Sequence, residues 1–180
     1  MLNSNIKKCA EEKRFEFEKS RPVDDDDFAL DIVAFAKHNG FSVYSASLEN
    51  ESGIVYISDK EIEQFKAKKV IVVNSNDSAL RQRFTIAHEL AHYYLHLTDK
   101  EKNYVAFRDC SDSPKDEKEQ EADYFASNLL MPENKVRAAL SAFKAAVGQA
   151  DAQSKIRLIS NMFLVSNLAA SVRLNQLKLL

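Results

Sequence analysis

Three of the four histidines of this 180-residue chain fall within nine positions, in the stretch FTIAHELAHYYLH at 84–96. Two imidazoles four residues apart on an α-helix lie on one face, one turn apart, close enough to hold a single ion. A glutamate directly after the first histidine sits beside that ion without binding it, placed to take a proton from water. HELAH supplies all three groups: His88, Glu89 and His92. At this composition the motif is expected by chance in roughly 0.007 places, so coincidence is a poor account of it. At about 100° per residue, the apolar residues between Ala79 and Leu95 cover well over half of the circumference. The remaining arc holds Arg81, Thr85, His88, Glu89, His92 and His96. A helix this apolar is expected to be buried, with its polar arc on a cleft. The competing explanation is a set of core histidines bonded to backbone carbonyls.

His96 lies eight residues beyond His88, about 12 Å along a continuous helix, and so falls outside the ligand set. It reads as a helix-end residue or a hydrogen-bonding partner of the site. A catalytic zinc site takes three protein ligands and leaves one position open. No histidine follows the helix, so the third ligand should be a carboxylate of PKDEKEQEADYFASNLLMP. There Ala122, Phe125, Ala126, Leu129 and Leu130 form the apolar face of a helix. Taking Ala122 as zero, Glu119 falls near about 60° and Asp123 near about 100°, along one edge of that face. Glu121 falls on the other flank and Glu117 points away. The expected metal ligands are therefore His88, His92 and Glu119, holding one zinc ion per chain with Glu89 as catalytic base. Asp123 is placed to hydrogen-bond a ligating imidazole. Tyr104, Arg108 and His96 are candidate donors to an oxyanion or to substrate.

The elements that must position these residues can be read on either side. IKKCAEEKRFEFEK is a charge-rich short helix or arm. RPVDDDDFALDIVAFAKHNG reads as a helix led in by acidic residues and ended by Asn39-Gly40. Its four aspartates lack the alternating ligands of a calcium loop and suit a helix start instead. FSVYSAS (41–47), GIVYIS (53–58) and KVIVVN (69–74) are β-type runs. They predict a small antiparallel sheet of about three strands, with YVAF as a further short edge strand. The histidine helix starts near Ser78. Helices follow from EQEAD onward, one with Pro132 in its first turn, and the last two split near Val165-Ser166. The fold class is α+β: the small sheet packed on the histidine helix, zincin-like, with a helical C-terminal half. One metallopeptidase domain over 1–180 is expected, with an N-terminal arm or helix at 1–23, a catalytic core at 24–130 and C-terminal helices at 131–180.

Composition narrows the classes. The residues are 45% hydrophobic and 29% charged, with only three glycines and three prolines, which favours helices over a turn-rich β protein. A net charge of −2 gives no overall pull toward nucleic acid or anionic membrane. No apolar run has membrane-spanning or signal-peptide length. Cys9 and Cys110 have no metal or redox spacing and read as reduced thiols, consistent with a cytoplasmic protein.

RFTIAHELAHYYLH followed by EQEADYFASNLLMP resembles the ImmA/IrrE family of metallo-endopeptidases. KVIVVN upstream and FLVSNLAASVRLNQL downstream fit as well, so that the likeness covers roughly residues 25–178. It implies zinc-dependent cleavage of a protein partner through His88, Glu89, His92 and Glu119. It also implies the partner: a helix-turn-helix repressor or antitoxin of a phage or mobile element, with nucleic acid involved only through that repressor. Many members carry Asn where this chain has Asp123. Two alternatives belong to other classes. One is a non-proteolytic module that binds and sequesters such a repressor. The other is DNA binding by IRLISNMFLVSNLAASVRLNQL, where only Arg157 and Arg173 supply basic charge.

Overall fold

The computed structural model describes residues 2–20, 28–97, 103–109 and 116–180. The charge-rich N-terminal stretch is a full helix, α1 (Leu2–Lys19), and not an arm. Its Ile6, Ala10 and Phe17 are buried, and it packs along α4 (Glu117–Leu130). The short helix α2 (Ile32–His38) starts later than its acidic lead-in suggested. Asp31 caps it, its side chain accepting from the Ala34 N–H, while the aspartates at 24–27 lie outside the described residues, as does Cys110.

Among the described residues the sheet has four strands, the three expected runs and the YVAF edge, and it is mixed where an antiparallel sheet was expected. Strands β1 (Ser42–Ala46), β2 (Glu51–Ile62), β3 (Ala67–Asn74) and β4 (Asn103–Asp109) lie in the order β1-β3-β2-β4. β2 runs antiparallel to both neighbours, whereas β1 pairs parallel with β3, Ser42 opposite Val70 and Ala46 opposite Asn74. The YVAF stretch belongs to β4, an edge strand paired with β2. One face of the sheet, carrying Val55, Ile71 and Val73, joins the main core.

Against that face lies α3 (Ala79–Leu95), capped by Ser78, whose hydroxyl accepts from the Arg81 N–H. Its middle is buried without interruption from Thr85 to His92, as its wide apolar arc requires. α4 packs on α3 from the other side. α5 (Glu133–Val147), α6 (Ala152–Phe163) and α7 (Asn167–Gln176) complete the helical half. Pro132 stands at the cap of α5, one residue before its expected place. Ser166 caps α7 at the expected split. The fold class is α+β. Among the described residues, no helix is long and apolar enough to cross a membrane.

Candidate metal centre

His88 and His92 project from adjacent turns of α3 and are 0% and 6% exposed. Their Nε2 atoms are 3.0 Å apart. Glu119 enters from the first turn of α4, with Oε2 3.1 Å from His88 Nε2 and Oε1 3.1 Å from His92 Nε2. Bonds of about 2.0–2.1 Å to a tetrahedral ion place neighbouring ligand atoms about 3.3 Å apart. The three observed separations sit close to that value, and these residues are the only His, Cys, Asp or Glu group among the described residues arranged to hold a metal ion. Two imidazoles and a carboxylate are also a donor set suited to such an ion. The residues present therefore fit the group that the sequence called for.

Two contacts hold this arrangement. The His88 Nδ1–H donates to Asp123 Oδ1 at 2.9 Å; a carboxylate only accepts, so the ring's lone pair is left on Nε2, facing Glu119 and His92. At the base of α4, the Asp116 side chain accepts from the backbone N–H of Glu119 at 2.9 Å. That cap fixes the turn from which Glu119 reaches out. Contact with the His88 ring, and then with the His92 ring, holds the Glu119 carboxyl well below the usual range, against the opposing effect of burial. The carboxylate form, the one that ligates, is thus the stable one.

Glu89 follows His88 on the helix and is 1% exposed. Its surroundings explain a residue that the sequence did not single out. Gly53 on β2 lies so close to α3 that a Cβ there would stand 2.4 Å from Thr85 Cγ2 and 3.4 Å from Glu89 Oε1. Only glycine lets the strand approach the helix at the level of the glutamate. The signal available in the sequence was a lone Gly inside a strand pattern.

The remaining candidates fall elsewhere. His96 caps α3, and its backbone N–H bonds the His92 carbonyl. Its ring N–H donates to the Lys118 carbonyl at 3.2 Å and lies 3.7 Å from Glu121. Burial first, and then the charge of His92, push its pKa down to about 4, which keeps the ring neutral. It ties the end of α3 to the start of α4 and is no member of the metal-competent group. Tyr104 is on β4, opposite Ile57 and half-buried against the core. Arg108 pairs through its backbone with Gly53; its side chain lies outside the described residues. Of the two arginines in the DNA-binding alternative, Arg173 is buried at 1% exposure and bonded to Met131 and Asn128. It has no face to offer a phosphate.

Comparison with known proteins matches residues 36–175 to a peptidase-family model described as the IrrE N-terminal-like domain. A stretch of 75 residues is 37% identical to "Metallopeptidase ImmA" of Bacillus subtilis (strain 168), covering 42% of this chain and 43% of that protein. The chain thus spans less than half the length of that relative.

Proposed function

Since the chain belongs to the ImmA/IrrE family of metallopeptidases, we propose that it is a zinc-dependent endopeptidase. Its substrate on this reading is a cytoplasmic protein, a helix-turn-helix repressor or antitoxin of a phage or mobile element. The observation that carries the activity is the convergence of His88, His92 and Glu119 at 3.0–3.1 Å beside a buried Glu89. Zinc, when bound by these three residues, supplies Lewis acidity that acidifies a water and polarises the scissile carbonyl. Glu89 accepts the proton as water attacks that carbonyl and then returns it to the leaving amine. Asp123 keeps His88 in its ligating tautomer throughout. The substrate backbone pairs with the outer edge of β4, beyond which no strand lies among the described residues.

Incubating the zinc-loaded protein with the repressor encoded beside it, with and without chelator, tests the reading by the masses of the products. Two fragments summing to the repressor plus one water are expected, and only without chelator. Glu89→Gln should retain zinc and lose cleavage by about 10²–10⁴-fold, the usual worth of a general base. Cleavage by that variant at the wild-type rate would refute the mechanism.

A further inference from the structure

Beside the metal centre, a cleft of about 820 Å³ opens between the first turns of α3, one flank of α4, and α7. It is far larger than one side chain needs and suits several residues of a bound chain. Its two walls differ in kind. The α7 wall carries Leu168 and Val172, one helical turn apart and 76% and 47% exposed. Phe84 of α3 adds a further apolar surface. The α4 wall is acidic, with Glu117, Glu121 and Asp123. The cationic group along the lining is Arg81, whose guanidinium is bonded to Asp77 and Ser52.

Exposed apolar side chains this large, facing a row of carboxylates, call for an amphipathic occupant of opposite charge. Asp123 belongs to both places, lining the cleft with one side and bonding His88 with the other. A chain lying in the cleft therefore leads to the metal centre. The geometry points to this cleft as the docking site for a segment of the protein substrate that carries apolar residues flanked by Lys or Arg. The assignment of that segment to a substrate rests on the peptidase reading; its chemistry rests on the cleft alone. Recognition here selects the protein to be cut by a sequence apart from the scissile bond.

Binding is measured on Glu89→Gln protein, so that no cleavage intervenes. The probes are short fluorescein-labelled peptides that share their apolar residues and differ only in bearing lysines or glutamates. The lysine peptide should bind at least tenfold more tightly, and added salt should weaken it. Leu168→Asp and Val172→Asp should each weaken it about tenfold, with zinc content and melting temperature unchanged. Glu117→Lys, on an exposed residue, should reduce the preference for lysine over glutamate. Equal binding of the two peptides, or indifference to both α7 variants, overturns the proposal. So does a dimer in solution that Leu168→Asp dissociates, because the cleft would then belong to a second copy. If charge-selective binding holds while wild-type protein cuts no partner, the cleft stands and the peptidase reading falls. Chelator-sensitive cleavage that is indifferent to Leu168→Asp has the opposite meaning.

Discussion

The Nδ1–H of His88 ends on a carboxylate, Asp123, and this decides which ring nitrogen keeps the lone pair. Removing that acceptor should cost more than one hydrogen bond, because the ring is then free to turn or to change tautomer. Asp123→Ala is expected to weaken zinc binding about 10–100-fold, as loss of such a partner usually does, with Asp123→Asn between the two. Competition against a chromogenic chelator measures it, and equal affinity of all three proteins would remove Asp123 from the site. Gly53 makes a second demand at single-residue scale. Gly53→Ala drives a methyl into Thr85 Cγ2, 2.4 Å away, at about 1–3 kcal/mol for overpacking. Thr85→Ser in the same chain deletes that methyl partner and should restore most of the stability in urea unfolding. The 3.4 Å approach to Glu89 remains in the double variant, so kcat should stay several-fold low with zinc retained. Full recovery of both would mean that Gly53 serves packing alone. The pair also shows what a sequence can and cannot disclose. His88, His92, Glu119 and Asp123 were readable because helix periodicity places them locally, each on a known angle. The need for Gly53 arises where a strand meets a helix more than thirty residues away in the chain, and no local period records that meeting.

Strand content was legible from β-branched runs, but strand neighbours were not. The chain passes from β1 through β2 before β3 returns to lie between them, so that β1 and β3 pair parallel. Periodicity within each run is the same in either arrangement. β2 also continues to Ile62, past the polar Asp59-Lys60-Glu61 where a propensity reading stops. The pairing of Ile62 with Ala67 and the positive φ of Lys66 in the intervening turn carry that extension, so hairpin geometry overrides propensity there. β4 is the element on which the proposed substrate pairing rests, an edge with no further strand beyond it among the described residues. Val105, opposite Tyr56 and 50% exposed, marks its middle. Val105→Pro removes one backbone donor and stiffens the strand. KM should rise severalfold, or cleavage stop, with the zinc content of the wild type. Steady-state kinetics that match the wild type would dispose of edge pairing as the mode of substrate binding.

At the scale of the whole molecule, α4 links the metal centre to both ends of the chain. Its N-terminal half carries Glu119 and Asp123, and its last carbonyls, which no helical N–H can satisfy, meet two buried guanidiniums. Arg14 of α1 donates to the Leu129 and Leu130 carbonyls at 2.9 and 3.3 Å, and to Phe28 at 3.1 Å. Arg173 of α7 donates to the Met131 carbonyl at 3.0 Å and to Asn128 at 2.8 Å. Both cations face the negative end of the α4 dipole, where positive charge is favoured. α1 and α7 are thereby joined through the element that carries Glu119. Neither arginine could be recognised as internal from the sequence, because the carbonyls each one meets at the end of α4 lie 42 or more residues away along the chain and no local pattern marks them. Arg173→Met keeps much of the volume but strands the Met131 carbonyl and the Asn128 amide oxygen in the interior. Each buried acceptor left without a donor costs about 1–3 kcal/mol, and a domain of this size loses about 2–4 °C per kcal/mol. Urea and thermal unfolding should both register that loss. Glu119 sits at the far end of the helix, held by its own cap on Asp116, so below the melting transition Arg173→Met should still bind one zinc per chain. Loss of zinc from a variant of undiminished stability would show instead that α7 acts on the metal centre directly, and that the joint at the C-terminal end of α4 is not what sets the position of Glu119.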